Sequence, residues 1–232
     1  MNKFSIVIPI YNEEKNIIGL INEILIYLKS YSNYEIIIVN DGSTDESLTK
    51  IHDLLSNTKI KVINNKMNKG QSFALKEGIV ASKFQTIVTL DGDGQNNPKD
   101  IPILLSKYFD DASIFLVGGI RIKRKDSIIK KVSSKIANKF RSIILNDNCK
   151  DTGCSLKVFD KNIFLKFPFF DGIHRFLPAL FLGYGKKTFF IDVSHRPRIY
   201  GSSKYGTYGR LVRGIKDLIR VAKIIKKFKR NC

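Results

Sequence analysis

Short apolar runs alternate with polar, turn-rich stretches through the first half of the chain, and the alternation predicts strands and helices in turn. Residues 4–8 read as a strand that Pro9 ends, followed by Ile10-Tyr11-Asn12-Glu13-Glu14 and an amphipathic helix to about Lys29. Residues 35–39 form a second strand, closed by Asn40-Asp41-Gly42-Ser43-Thr44-Asp45. Ser43 and Glu46 have capping-box spacing for a helix through about Leu55. Residues 60–63 give a third strand, then Asn68-Lys69-Gly70-Gln71 and a helix to Ala81. A fourth strand, 86–90, stops at Asp91-Gly92-Asp93-Gly94; Pro98 suits the first turn of the next helix, with Asn97 or Asn96 as cap. A fifth, 113–117, runs into Gly118-Gly119. Strands alternating with helices predict an α/β domain of three layers around a mostly parallel sheet.

Polar clusters follow the first, second and fourth strands, so they fall along one sheet edge, where open α/β sheets bind ligands. No G-x-G-x-x-G follows the first strand, which weakens a dinucleotide-binding reading. The fourth cluster carries two carboxylates, Asp91 and Asp93, which repel one another unless a cation lies between them. Oxygen ligands suit Mg²⁺ or Mn²⁺ bridging carboxylates to substrate phosphates. An EF-hand loop does not fit, with Asn96 at position six and Pro102 at position twelve; an acidic surface turn is the plain alternative. Asp41 is a candidate base or ribose contact, because a carboxylate accepts from both N–H and O–H donors.

Charge divides the chain. Residues 1–120 hold 12 Lys/Arg and 14 Asp/Glu; residues 121–232 hold 28 and 7, and the whole carries +19. An acidic half joined to a strongly basic one implies a polyanionic partner. The three cysteines, Cys149, Cys154 and Cys232, form no CxxC pair, which fits a reducing cytoplasm; no signal peptide and no run of about 18 apolar residues is present.

The motifs together resemble a known family. Val7-Ile-Pro-Ile-Tyr-Asn-Glu-Glu14, Asn40-Asp-Gly-Ser-Thr-Asp45, Asn68-Lys-Gly70 and Asp91-Gly-Asp-Gly-Gln95 are similar, in order and spacing, to family 2 glycosyltransferases of the GT-A fold. Asp151-Thr-Gly-Cys-Ser155, His174-Arg-Phe-Leu-Pro178 and the stretch from His195 to Gly206 resemble the polyprenyl-phosphate sugar transferases related to dolichol-phosphate mannosyltransferase. The resemblance implies that Pro9, Tyr11, Glu13, Asp41 and Gly70 hold the nucleotide sugar. It implies that Asp91, Asp93 and Gln95 hold a metal, and that Arg198, Ser203 and Lys204 close over the diphosphate. Departures are Asn40 where many relatives have Asp, Gly92, and Asn96 where relatives often have His. With no tryptophan, the Q-x-x-R-W motif of processive polysaccharide synthases is absent.

The basic half adds two amphipathic helices. In 128–145, Ile129, Val132, Ile136, Phe140 and Ile143 share one face among Lys130, Lys131, Lys135, Lys139 and Arg141. In 210–230, Leu211, Ile215, Leu218, Ala222 and Ile225 form a stripe, and Asp217 is the sole acid among nine basic residues. Residues 1–206 are thus expected to be the GT-A domain and 207–232 a basic helix for docking. Many relatives continue into transmembrane helices here, so peripheral attachment to an anionic membrane surface, or docking on a separate membrane subunit, is expected. The lack of a nucleic-acid motif and of interleaved aromatics argues against a nucleic-acid partner.

The expected reaction is inverting transfer of a sugar from a UDP- or GDP-linked donor to a polyprenyl phosphate at the cytoplasmic membrane face. Arg121 and Arg124, with Lys125 next, are expected to hold the acceptor phosphate, and Asp151 to orient these cations. If the acceptor is a hydroxyl, Asp151 becomes the general-base candidate. Transfer to a hydroxyl of a cell-envelope or lipid-linked saccharide is the alternative within the class; a non-catalytic basic binding module is the alternative outside it.

Overall fold

The computed structural model describes residues 2–122, 141–142, 144–198 and 207–230. Seven strands form one sheet in the order β3-β2-β1-β4-β6-β5-β7. They are β1 (Phe4–Ile10), β2 (Tyr34–Asn40), β3 (Ile60–Asn64), β4 (Thr86–Thr89), β5 (Ile114–Arg121), β6 (Lys157–Asp160) and β7 (Lys187–Val193). All pairings are parallel except those of β6, which runs antiparallel to both β4 and β5. The helices are α1 (Ile17–Tyr27), α2 (Ser47–His52), α3 (Gln71–Ala81), α4 (Ile101–Asp110), α5 (Lys161–Leu165), α6 (Leu177–Gly183) and α7 (Thr207–Arg230).

Every residue of β1 and β2 is buried, as a sheet covered on both faces requires. Ile6, Ile8, Ile36 and Ile38 point to the side of α1 and α4, where they meet Ile17, Ile21, Ile24 and Leu104. Val7, Ile37 and Val39 point the other way, to α3 and a layer built from Phe159, Leu180, Phe181 and Val221. Gly78 is where α3 lies closest to the sheet: a Cβ there would come within 2.4 Å of Val7 Cγ1.

Several boundaries move. Pro9 does not end β1; it pairs in register with Val39 of β2. The β4 partnership ends at Val7–Thr89, so Pro9 sits past the point where that side of β1 needs a donor. The Ser43–Glu46 capping box does not form. Ser43 Oγ instead accepts from Asn12 N at 2.9 Å, and Asp45 Oδ1 accepts from Ser47 N at 3.0 Å at the start of α2. That helix is short and passes into a 3₁₀ turn at Asp53–Ser56. Asn97 does cap the turn at Pro98–Asp100, accepting from Lys99 N at 3.2 Å before α4 begins. The helix expected over 128–145 lies almost wholly outside the described residues. α7 forms, but its stripe divides: Leu218, Ala222 and Ile225 pack on the second core, and Ile215 stays exposed. No helix among the described residues is long and apolar enough to cross a membrane.

Candidate active site

The carboxyl ends of β1, β2 and β4 converge with the loops before β6 and after β7. Asp91 leaves β4 with its backbone N–H donated to Ser155 Oγ (3.1 Å) and its Oδ1 accepting from Gln71 Nε2 (2.6 Å). Burial, then the charge of Asp93, pushes the Asp91 carboxyl up to about 6, against the pull of Ser155, Lys157 and Arg121. Asp93 Oδ1 accepts from Gln95 N at 3.1 Å, which shapes the turn, and its Oδ2 lies 3.7 Å from Arg198 Nη2. This donor set fits a hard divalent cation: two carboxylates with no thiolate. No group of three or more His, Cys, Asp or Glu able to hold a metal occurs among the described residues. A cation here would therefore take its remaining ligands from diphosphate and water, as Mg²⁺ usually does. Gln95 Nε2 lies 3.5 Å from His195 Nε2 and 3.4 Å from the Arg196 carbonyl.

Glu13 and Asp41 stand at the ends of β1 and β2. Glu13 accepts from Asn16 Nδ2 and from Arg198 Nη2, both at 2.8 Å. Asp41 is 2% exposed, and its two oxygens accept from the backbone of Lys69 (2.9 Å) and Gly70 (2.8 Å). Its local work is thus to hold the loop that enters α3 at Gly70, whose φ of +94° suits glycine. Pro9 and the half-buried Tyr11 flank the same edge.

On the other side of Asp91, the end of β5 delivers Arg121 into a two-pronged pair with Asp151: Nε to Oδ2 at 2.7 Å and Nη2 to Oδ1 at 2.8 Å. The Arg121 backbone N–H adds a third bond to Oδ2 at 3.1 Å. Burial opposes the Arg121 charge, but the bonds and charge of Asp151 outweigh it and strengthen the cation. Gly153 leaves room for this: a Cβ there would stand 2.7 Å from Arg121 Nη2.

The segment after β7 is stitched to the Asp91–Asp100 loop. Ser194 donates to Asp100 Oδ2 from both N (2.8 Å) and Oγ (2.5 Å), and Arg196 N donates to the Gln95 carbonyl at 2.9 Å. Arg196 also grips Glu23 through Nη1 and Asn97 through Nη2. Arg198 is thereby delivered between Glu13 and Asp93. Arg124, Lys125, Ser203 and Lys204 lie outside the described residues.

A sequence model of glycosyl transferase family 2 matches residues 5–167. The chain belongs to that family. It is 34% identical over 225 residues to the dodecaprenyl-phosphate galacturonate synthase of Rhizobium johnstonii, with 94% of this chain and 66% of that relative covered. It is 32% identical over 205 residues to the undecaprenyl-phosphate 4-deoxy-4-formamido-L-arabinose transferase of Aeromonas hydrophila, with 87% and 62% covered. The chain thus spans less than two thirds of the length of either relative. Among solved structures, the glucosyl-3-phosphoglycerate synthase of Mycobacterium tuberculosis, in complex with Mn²⁺, UDP and phosphoglyceric acid, aligns with a TM-score of 0.71 at 17% identity, covering 94% of this chain and 76% of that one. The mannosyl-3-phosphoglycerate synthase of Rubrobacter xylanophilus aligns with a TM-score of 0.71 at 14% identity, covering 98% and 75%. The fold is that of the GT-A glycosyltransferases.

This family 2 chain also uses residues that its sequence did not single out. Gln71 opens α3 and bonds Asp91. Ser155 ties Asp91 to Asn96, whose Nδ2 donates to the same hydroxyl at 2.6 Å. Gln71 belongs to the Asn68–Gln71 loop and Ser155 to the Asp151–Ser155 motif, but their partners are 20 and 64 residues away, which only the sheet order reveals. His174 meets Ser72 Oγ through Nδ1 at 2.7 Å, and burial pushes it down to about 3, so it is neutral. Burial pushes Cys154 up to about 11, so it is a packed thiol rather than a nucleophile.

Proposed function

We propose that this chain carries the catalytic domain of an inverting glycosyltransferase. It moves a sugar from a UDP- or GDP-linked donor to a polyprenyl phosphate at the cytoplasmic face of a membrane. The observation that carries the reading is Arg121: a cation fixed by Asp151, at the edge of the acidic pair and acting electrostatically on Asp91. A phosphate acceptor is already ionised at neutral pH and needs a positioned cation rather than a base. A hydroxyl acceptor would need Asp151 as base, yet both Asp151 oxygens accept from Arg121. The relatives' names, each a transferase or synthase of a polyprenyl-phosphate sugar, support the same acceptor.

A divalent Mg²⁺ or Mn²⁺ held by Asp91 and Asp93, with Gln95 nearby, would neutralise charge on the leaving diphosphate. Gln71 and Ser155 keep Asp91 aimed. Pro9, Tyr11, Glu13, Asp41 and Gly70 frame the nucleoside side. Arg198, with Ser203 and Lys204 beyond it in sequence, supplies donors to the diphosphate, and Arg124 and Lys125 add to the acceptor side. The excess of basic residues in 121–232 supports contact with an anionic membrane surface or with a separate membrane subunit.

Transfer is tested with labelled UDP- and GDP-sugars, polyprenyl phosphate and Mg²⁺ or Mn²⁺ in detergent. The expected product is label in an organic-extractable lipid, lost on chelation. Label that never enters the lipid with either donor class contradicts the reading.

A further inference from the structure

α7 is seated on the domain by one face. Val221 is fully buried, and Leu218, Ala222, Ile224 and Ile225 pack on the second core. Phe228 stacks on Tyr184 with ring centroids 3.8 Å apart, and Asp217 pairs with Arg175 at 3.3 Å. The opposite face is left to solvent. It carries Lys216, Lys223 and Lys227 beside Ile215 and Ile219, two isoleucines one turn apart that are each 52% exposed.

Between the last two turns of α7 and residues 144–146 runs an open groove of about 410 Å³. Ile144, Ala222 and Ile225 supply an apolar floor; Lys226, Lys229 and Arg230 supply a basic rim; among the described residues no acidic one lines it. Ile144 is itself 53% exposed. At 3.6 residues per turn, Ile215, Ile219, Ala222 and Lys226 follow one another along one side of the helix, so the exposed isoleucine pair shares that side with two of the groove's residues. The helix dipole places only about half a unit of negative charge at this end. Three cations around an apolar floor exceed what it calls for.

We propose that this groove binds one anionic phospholipid. The phosphate sits among Lys226, Lys229 and Arg230, and the chain lies on Ile144, Ala222 and Ile225. A soluble phosphate would use the rim and leave the floor wet, whereas a neutral amphipathic helix would cover the floor and leave the cations unmatched. A charged head on an acyl chain satisfies both. The inference deepens the membrane-surface reading above and rests on it for the source of the lipid, but not on the transfer chemistry.

The test is titration of the whole chain with monomeric short-chain phosphatidylglycerol, with short-chain phosphatidylcholine and inorganic phosphate as comparators. Phosphatidylglycerol is expected to bind roughly tenfold or more tightly than either comparator. A Lys226→Glu/Lys229→Glu/Arg230→Glu variant should lose that preference, and Ile144→Ser should weaken it. Reversal of the same charge at Lys216, Lys223 and Lys227, off the groove, should leave it nearly unchanged. Equal binding of phosphate and lipid overturns the proposal, and so does equal loss in both triple variants. Self-association in place of lipid binding, the mark of a groove covered by a second copy, also overturns it. Flotation with phosphatidylglycerol-containing vesicles separates the two levels. A rim variant that floats like the wild type overturns the groove and leaves the membrane reading standing; a wild type that never floats fails that reading itself. Metal-dependent nucleotide binding should be unaltered in every variant.

Discussion

Arg198 Nη2 lies 3.7 Å from Oδ2 of Asp93 while donating to Glu13 Oε1 at 2.8 Å. One guanidinium thus spans the residues placed on the nucleoside side and on the metal side. A diphosphate arriving with its cation would compete for the same carboxylate and offer Arg198 better acceptors. Arg198→Gln should therefore bind Mn²⁺ alone several-fold more tightly, and Mn²⁺ with nucleotide diphosphate roughly tenfold more weakly. Calorimetric titration with and without nucleotide checks both signs. Weakening in both arms would reduce Arg198 to a structural tie.

Asp151→Asn should act through Arg121. Removing one partner of a largely buried pair costs roughly 3 kcal/mol, visible as a lower Tm. The acceptor KM should rise, and the pH profile of kcat/KM should keep its shape. Loss of a limb from that profile would instead identify Asp151 as a general base.

Gly153→Ala tests the same pair sterically. Its Cβ would fall 2.7 Å from Arg121 Nη2 and 3.6 Å from Asp151 Oδ1, so Arg121 must shift. The expected result is a fall in transfer of on the order of a hundredfold, with nucleotide binding intact. Unchanged transfer would show that the position of Arg121 is immaterial.

His174 gives a pH signature. It is held neutral, with its value lowered to about 3 by burial first and then by the charges of Arg175 and Lys157. Ser72 Oγ, 2.7 Å from the histidine Nδ1, also accepts from Gly172 N at 2.7 Å, which holds the ring against α3. Below about pH 6.5 the unfolded chain binds a proton that the folded chain refuses, so stability falls by up to about 1.4 kcal/mol per pH unit as pH drops toward 3. Above about pH 6.5 this group has no effect. Denaturant midpoints across that range should show a shallower acid slope in His174→Gln than in the wild type.

β1, β2 and β4 were legible because each is buried along its whole length and ends in its own polar cluster, whereas β3, a partly exposed edge strand, shows only as a short apolar run. β6 and β7 were not foreseen. Lys157–Asp160 is four residues long and antiparallel, and β7 reads Lys-Thr-Phe-Phe-Ile-Asp-Val without strict alternation. Pro9 misled because proline ends most strands, and its tolerance here depends on where β4 stops pairing. The acidic pair and Arg121 were readable as chemistry. Asp151, expected to orient the acceptor cations, does pair with Arg121. That Asp41 serves the Gly70 loop and that Gln71 aims Asp91 depend on contacts 20 to 29 residues apart, which local pattern does not encode. The stripe on α7 was correctly read as amphipathic, but periodicity cannot say whether an apolar face meets lipid or the domain's own core.

The central claim is tested most directly by the initial rate of lipid-linked sugar formation in wild type and Asp93→Ala, with polyprenyl phosphate and saturating Mg²⁺ or Mn²⁺. A metal-dependent rate that falls about a thousandfold or more in the variant is the predicted result. Equal rates in the two proteins, or no lipid-linked product from the wild type with any UDP- or GDP-sugar, would contradict the account.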